Sequence, residues 1–237
     1  MNGYRQAGFM NLTPVVKNLL IINIGMFVLE NLLAEPLPGG GTTWRSLLSL
    51  HYFSNEDFYP FQLVTSMFMH SGLTHLFGNM LGLFFFGVTL ENIWGSKRFL
   101  TYYMLTGVGA ATLQLVVQGF QIYSMTGEFW ITAESMVPTD VVKDVGRIYG
   151  SIMLGASGAV YGILMAFGLL FPNTLIYLYF AIPIKAKYLV LGLGIFALFS
   201  SIQNNPNDNV AHFVHLSGMG IGYLLLKLWK QDRSRFY

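Results

Sequence analysis

The sequence predicts an all-α membrane protein, a single bundle of six transmembrane helices over residues 1–237. Of these residues, 54% are hydrophobic and only 10% are charged, whereas soluble domains carry about 25% charged residues. Six apolar stretches are also long enough to cross the bilayer core, which takes about 20 residues. They cover residues 15–34, 74–93, 98–121, 151–171, 174–200 and 210–229.

Composition narrows the classes of function. The chain has no cysteine, which excludes disulfides and thiolate metal sites. Its net charge of +2 is too small to favour nucleic acid as a partner. We therefore expect membrane lipid as the surroundings, and neither nucleic acid nor a bound metal as a partner.

The basic residues predict an orientation. Ten of the thirteen lysines and arginines fall on one side if both termini are placed in the cytoplasm, in line with the positive-inside rule. We therefore expect an integral multi-pass protein of the cell (inner) membrane. The ten residues are Arg5, Lys17, Lys97, Arg98, Lys185, Lys187, Lys227, Lys230, Arg233 and Arg235.

Polar residues lie near the starts of three of these stretches. His75 and Asn79 begin the second, Ser157 the fourth and His215 the sixth. All three stretches run inward in this topology, so at 1.5 Å per residue each group lies about 10 Å below the outer surface. Polar groups are expensive to bury in a membrane and mark functional sites. The sequence therefore predicts one shared site on the extracytoplasmic side.

The residue types at this depth are those of nucleophilic catalysis. A serine with a histidine base is a nucleophile pair, and the fourth and sixth stretches hold no Asp or Glu to complete a triad. We therefore predict a Ser157–His215 dyad. Tyr161 lies four residues after Ser157, on the same helix face, where it would pack on the imidazole and orient it.

Acyl transfer also needs donors for the oxyanion that forms on the attacked carbonyl. The backbone N–H of Ser157, the ring of His75 and the amide of Asn79 are the candidates. Hydrolysis further needs water at this depth, so we expect a wet pocket that opens outward.

Small residues predict how the helices approach one another. The fourth and sixth stretches each carry a Gly-x-x-x-Gly pair, a spacing that lets membrane helices pack closely. This contact would bring His215 to Ser157 and close the pocket on its cytoplasmic side. The pairs are Gly158/Gly162 and Gly218/Gly222.

Four motifs together resemble the rhomboid family of intramembrane serine proteases, over about Val15 to Trp229. One departure is Phe61-Gln62, where some members have Trp-Arg just ahead of the second helix. The motifs are His75-x-x-x-Asn79, Glu91-x-x-x-Gly95, Gly155-Ala156-Ser157-Gly158-Ala159-Val160-Tyr161-Gly162 and Ala211-His212-x-x-His215-Leu216-x-Gly218.

The resemblance implies a six-helix rhomboid-like bundle with Ser157 as nucleophile and His215 as base. It implies that His75, Asn79 and the backbones of Gly155 and Ser157 surround the oxyanion, and that Tyr161 stacks on the His215 ring. The implied activity is that of a serine endopeptidase that needs no cofactor. Its partners would be single-spanning transmembrane proteins, cleaved near the outer face.

Two other classes of protein stay open on the residues alone. The first is a polytopic metal or haem protein, because neutral imidazole binds zinc, copper and haem iron. The second is a transporter or a protein that escorts membrane helices, although no internal repeat of the kind common in transporters is found. The histidines that could serve as metal ligands are His70, His75, His212 and His215.

Overall fold

The computed structural model describes residues 12–33, 43–132, 135–178, 181–202 and 209–229, and it is mostly helical. The described residues form six long helices and a two-stranded hairpin, with the shorter helices Trp44–Leu48, Gln62–Thr65 and Val142–Gly150 between them. The long helices are α1 (Pro14–Leu32), α2 (Leu73–Trp94), α3 (Ser96–Thr126), α4 (Ser157–Leu170), α5 (Ala186–Ile202) and α6 (Asn209–Leu228).

Three of these helices, α1, α2 and α3, are long and apolar enough to cross a membrane by length and composition. Helix α4 and the part of α5 over Ala186–Ser201 are apolar but shorter. Six crossings with both termini in the cytoplasm therefore stay a prediction. Four of the basic residues on which the predicted orientation rests lie outside the described residues: Arg5, Lys230, Arg233 and Arg235. So does Ala34, the last residue of the first predicted stretch.

Helix α4 forms the centre of the bundle. It is buried along most of its length, as expected for a helix that is apolar on all sides. It packs against α3, α5 and α6. The nucleophile candidate Ser157 thus stands at the end of the most enclosed helix in the protein.

Glycines set the distance between α4 and α6. A Cβ atom built on Gly218 would collide with the carbonyl oxygen of Gly158. One built on Gly222 would lie 3.1 Å from the Cα and the carbonyl oxygen of Gly162. Backbone therefore meets backbone at two successive turns, as Gly-x-x-x-Gly pairs allow.

The fourth helix begins later than the sequence predicts. It was expected over 151–171 but starts at Ser157, because the residues before it are extended. Met153 pairs with Leu50 through two backbone hydrogen bonds of 2.8 Å. A short apolar run is compatible with either conformation, so hydropathy alone does not place this boundary.

The fifth helix also begins later. It was expected over 174–200, but residues 175–178 and 182–185 form two antiparallel strands, and α5 starts at Ala186. Strands β1 (Leu175–Leu178) and β2 (Ile182–Lys185) pair with Leu175 opposite Lys185. Both strands contain the β-branched and aromatic residues that favour strands. They are also apolar, so hydropathy alone predicts them as part of the transmembrane stretch.

The connection between α1 and α2 is organised by Gln62, at the position where the sequence departs from Trp-Arg. Its buried amide donates to the carbonyl oxygens of Asp57 (2.7 Å) and Leu47 (3.1 Å), and accepts from the His51 N–H (3.2 Å). Three segments of the connection are thereby joined. Residues 34–42, which hold its Pro- and Gly-rich part, lie outside the described residues.

This first connection also contacts the second long connection, between α3 and α4. The Tyr52 hydroxyl donates to the carbonyl oxygen of Phe129 (2.7 Å), and the Ser54 hydroxyl to that of Ile131 (2.7 Å). Tyr52 and Ile131 share a small buried cluster with Val145, on the short helix of the second connection. The long second connection therefore packs on the first.

Glu91, near the C-terminal end of α2, links this helix to α1 and α3. Its carboxylate accepts hydrogen bonds from the backbone N–H groups of Val15 and Val16, both at 2.9 Å, and from the Ser96 hydroxyl at 2.6 Å. The first N–H groups of a helix have no partner within it, and an anion there also meets the favourable end of the helix dipole. Glu91 thus caps the start of α1.

Candidate active site

A cavity of about 630 Å³ lies between α2, α4, α5 and α6 and the segment that precedes α4. Its lining combines the predicted catalytic groups with apolar side chains such as Phe86 and Leu193. The predicted residues that line it are His75, Asn79, Gly155, Ser157, Tyr161 and His215.

Ser157 is the first residue of α4 and is only 9% exposed. At this position its own N–H has no acceptor within the helix, and the helix dipole makes the surroundings favourable for negative charge. The late start of α4 therefore gives the serine hydroxyl and an N–H donor in one residue. A helix that began at residue 151 would have used that N–H internally.

Tyr161 and His215 form the closest ring contact in the cavity. Their ring centroids are 4.0 Å apart and their planes differ by 4°. Because Tyr161 lies one turn after Ser157 on the same face, the stack holds the imidazole of α6 next to the first turn of α4. The contact therefore restrains the plane of the imidazole ring.

His75 faces the segment before α4. A Cβ atom built on Gly155 would lie 2.7 Å from the His75 Cε1, 2.8 Å from its Nε2 and 3.8 Å from the Ser157 Oγ. Gly155 also has φ of 129°, a conformation that residues with a side chain rarely adopt. Glycine is needed here both for the backbone and for the space that the imidazole occupies.

The backbone of Gly155 contacts the segment ahead of α2. Its N–H donates to the carbonyl oxygen of Ser66 at 2.8 Å. The role that the resemblance implies for this backbone, beside the oxyanion, stays a prediction. The same holds for the Ser157 N–H, His75 and Asn79 as oxyanion donors.

Asn79 is 5% exposed and lines the same cavity one turn after His75. Its amide nitrogen is buried and has no hydrogen-bond partner among the described residues. A buried donor without a partner is uncommon and calls for an explanation. A donor held for a group that arrives with the substrate is one explanation.

The four histidines considered as metal ligands form two pairs. The rings of His70 and His75 are 5.1 Å apart, and those of His212 and His215 are 6.0 Å apart. In the part of the chain that the structure describes, no three His, Asp or Glu residues are grouped so that they could hold a metal ion. His70 is fully buried in the loop before α2, and burial, reinforced by the charge of His75, lowers its pKa to about 4.

Two residues of the site were missed by the sequence argument. The Ser71 hydroxyl lies 3.0 Å from the Nδ1 of His75, and the Ser66 carbonyl holds Gly155. Ser71 stands four residues before His75, a spacing that could have singled it out. Ser66 acts through its backbone, for which a sequence carries no signal.

The family model of the Rhomboid domain matches residues 57–231, which is most of the chain and includes every residue of the site. The chain belongs to the rhomboid family.

Its relatives include bacterial and plant proteins at low identity. The chain is 26% identical over 231 residues to the putative rhomboid protease YdcA of Bacillus subtilis, covering 97% of this chain and 95% of YdcA. It is 27% identical over 214 residues to the rhomboid protease AarA of Providencia stuartii, covering 87% of this chain and 69% of AarA.

A plant relative is longer than this chain. The mitochondrial RHOMBOID-like protein 12 of Arabidopsis thaliana is 28% identical over 227 residues, covering 94% of this chain. The match spans only 60% of that relative. The family assignment therefore concerns the rhomboid domain.

Proposed function

We propose that this rhomboid is an intramembrane serine endopeptidase that cleaves transmembrane proteins near the outer face of the membrane. The observation that carries the proposal is the meeting of Ser157, the stacked His215 and the unpartnered Asn79 amide in one cavity. A nucleophile, a base and an oxyanion donor are the parts that acyl transfer requires.

In the first step the Ser157 Oγ attacks the scissile carbonyl while His215 takes the hydroxyl proton. The carbonyl oxygen becomes an oxyanion, held by the Ser157 N–H, the Asn79 amide and the Nε2 of His75. These donors are fixed before the substrate arrives, which is the condition under which they stabilise a transition state best. The C–N bond then breaks, and His215 returns the proton to the leaving amine.

In the second step water attacks the acyl ester of Ser157. His215 now takes a proton from the water, and the same donors hold the second oxyanion. Release of the acid returns the proton to the Ser157 Oγ. This step needs water in the cavity, so the cavity is proposed to open on the extracytoplasmic side.

The substrate class follows from the geometry of a membrane helix. A transmembrane helix satisfies its backbone hydrogen bonds internally, which hides its carbonyls from a nucleophile. The proposed substrates are therefore single-spanning proteins with Gly, Pro or polar residues near the outer end of the span. Each Gly lowers helix stability by about 1 kcal/mol and each Pro by about 3 kcal/mol, so local unwinding becomes accessible.

The cavity has room for an unwound segment. On α2, Gly78 lines the cavity, and a Cβ atom built there meets nothing within 4 Å. The apolar side chains of Leu189 and Leu193 on α5 form part of the cavity wall. An unwound substrate segment would pack its apolar side chains against these leucines and present its carbonyl groups to Ser157.

Labelling with a serine-reactive fluorophosphonate tests the proposal without a known substrate. The wild-type protein should be labelled, Ser157→Ala should not, and the exposed Ser124→Ala should be labelled like the wild type. Equal labelling of Ser157→Ala and wild type would refute the assignment. Bound zinc or haem absorbance in the purified protein would favour the histidine-ligated alternative.

A further inference from the structure

The side chain of Ser71 contacts the ring of His75, a proposed oxyanion donor. Its Oγ lies 3.0 Å from the Nδ1 of His75, and both residues line the cavity. Ser71 stands in the loop just before α2, one turn ahead of His75. The hydroxyl therefore contacts the ring from the side of the loop.

The other edge of the same ring faces the catalytic segment. A Cβ atom built on Gly155 would lie 2.8 Å from the His75 Nε2. The Ser157 Oγ is 3.8 Å from that same point. The two ring nitrogens thus meet different surroundings, with Ser71 at Nδ1 and the segment of Ser157 at Nε2.

A neutral imidazole has one donor and one acceptor nitrogen, and the partner of one nitrogen sets the state of the other. When a hydroxyl donates to Nδ1, the ring proton is on Nε2, at the edge of the ring next to Gly155. When the ring proton is on Nδ1, Nε2 presents a lone pair there. Only the first tautomer can stabilise an oxyanion.

A purely structural role for the Ser71 side chain has little support. Serine before a helix often caps its first N–H groups, but the N-cap of α2 is Gly72, without a side-chain capping bond. Ser71 is also exposed rather than packed in the core. Its one recorded side-chain hydrogen bond among the described residues is the contact with His75.

We propose that Ser71 is a positioning residue whose hydroxyl donates to the Nδ1 of His75 and so keeps the ring proton on Nε2, aimed at the oxyanion. This inference rests on the proposed function for its consequence in catalysis. The tautomer itself is a property of the resting protein and can be observed without any turnover.

The kinetic test compares Ser71→Ala with Ser71→Thr, which keeps the hydroxyl. Ser71→Ala should lower kcat about 3- to 10-fold, the scale of one hydrogen bond, with KM unchanged. Ser71→Thr should restore most of kcat. A Ser71→Ala protein with wild-type kcat would overturn the proposal, as would an equal loss in both variants.

The spectroscopic test uses the ring ¹⁵N signals of histidine-labelled protein in detergent, with His75 assigned by their loss in His75→Asn. Wild type and Ser71→Thr should show the Nε2–H tautomer of His75, and Ser71→Ala a mixture of both. A wild-type His75 with its proton on Nδ1 would overturn the proposal. If no fluorophosphonate labelling occurs, the proposed function fails, and the tautomer still decides the role of Ser71.

Discussion

The ring of Tyr161 lies flat on the ring of His215, with centroids 4.0 Å apart and planes 4° apart. The contact joins α4 to α6 at the candidate active site. In a catalytic triad, a carboxylate orients the histidine. An aromatic face can fix the plane of an imidazole but does not choose its tautomer. The stack therefore contributes to the orientation of the base.

Replacing Tyr161 tests this dependence. Tyr161→Phe should retain near wild-type kcat because the stacked ring remains. Tyr161→Ala should lower kcat by roughly 10-fold, since an aromatic pair contributes about 0.5–1.5 kcal/mol beyond buried area. Steady-state cleavage of a model membrane substrate measures both. Equal kcat in the Ala and Phe variants would show that stacking does not orient His215.

The buried amide of Asn79 leads to a second prediction. Asn79→Ala should lower kcat by about 10²–10³-fold, as loss of one oxyanion donor does, and should change KM little. A matched control is Asn31→Ala, whose exposed amide bonds only the backbone of its own helix. A change in KM alone for Asn79→Ala would move Asn79 to substrate binding.

The contact between Gly218 and Gly158 can be tested with a single methyl group. In Gly218→Ala the new Cβ would collide with the Gly158 carbonyl oxygen, so α4 and α6 should move apart. We expect this to destabilise the protein by about 1–3 kcal/mol and to inactivate it. Gly220→Ala, two residues away, meets nothing within 4 Å and should behave like wild type. Thermal unfolding in detergent and cleavage activity measure the difference. A fully active, stable Gly218→Ala protein would contradict the packing described for these helices.

Glu91 should act on stability rather than on chemistry, because it caps α1 far from the cavity. Glu91→Gln removes the charge that strengthens the hydrogen bonds from the Val15 and Val16 N–H groups. Each hydrogen bond to a charged group is worth about 1.5–3 kcal/mol, so the variant should unfold at a lower temperature. The exposed Glu128→Gln is the control. Normal thermal stability with lost activity in Glu91→Gln would show that the residue does something else.

Much of the site could be predicted because its residues recur at helical spacing. His75 with Asn79, and Ser157 with Tyr161, are each one turn apart, and burial of such groups in an apolar chain is expensive enough to be informative. The Gly-x-x-x-Gly pairs likewise indicated which helices meet. Side-chain chemistry and periodicity are what a sequence displays directly.

The rest depends on backbone geometry, which hydropathy does not encode. The segment in which Met153 pairs with Leu50 and the paired strands β1 and β2 are as apolar as a span, so both helix boundaries were predicted too early. The hydrogen bond that the Gly155 N–H makes also ends on a backbone carbonyl, that of Ser66. Contacts of this kind require coordinates.

The most direct test of the central claim is proteolysis by purified protein in liposomes, using a single-spanning substrate with Gly and Pro near its outer end. Wild type should cleave that substrate near the outer end of its span in the presence of a metal chelator. Ser157→Ala and His215→Ala should each abolish cleavage while remaining folded, because residues of one catalytic unit fail together. Cleavage by Ser157→Ala at the wild-type rate, or wild-type activity that is lost with the chelator, would contradict the account.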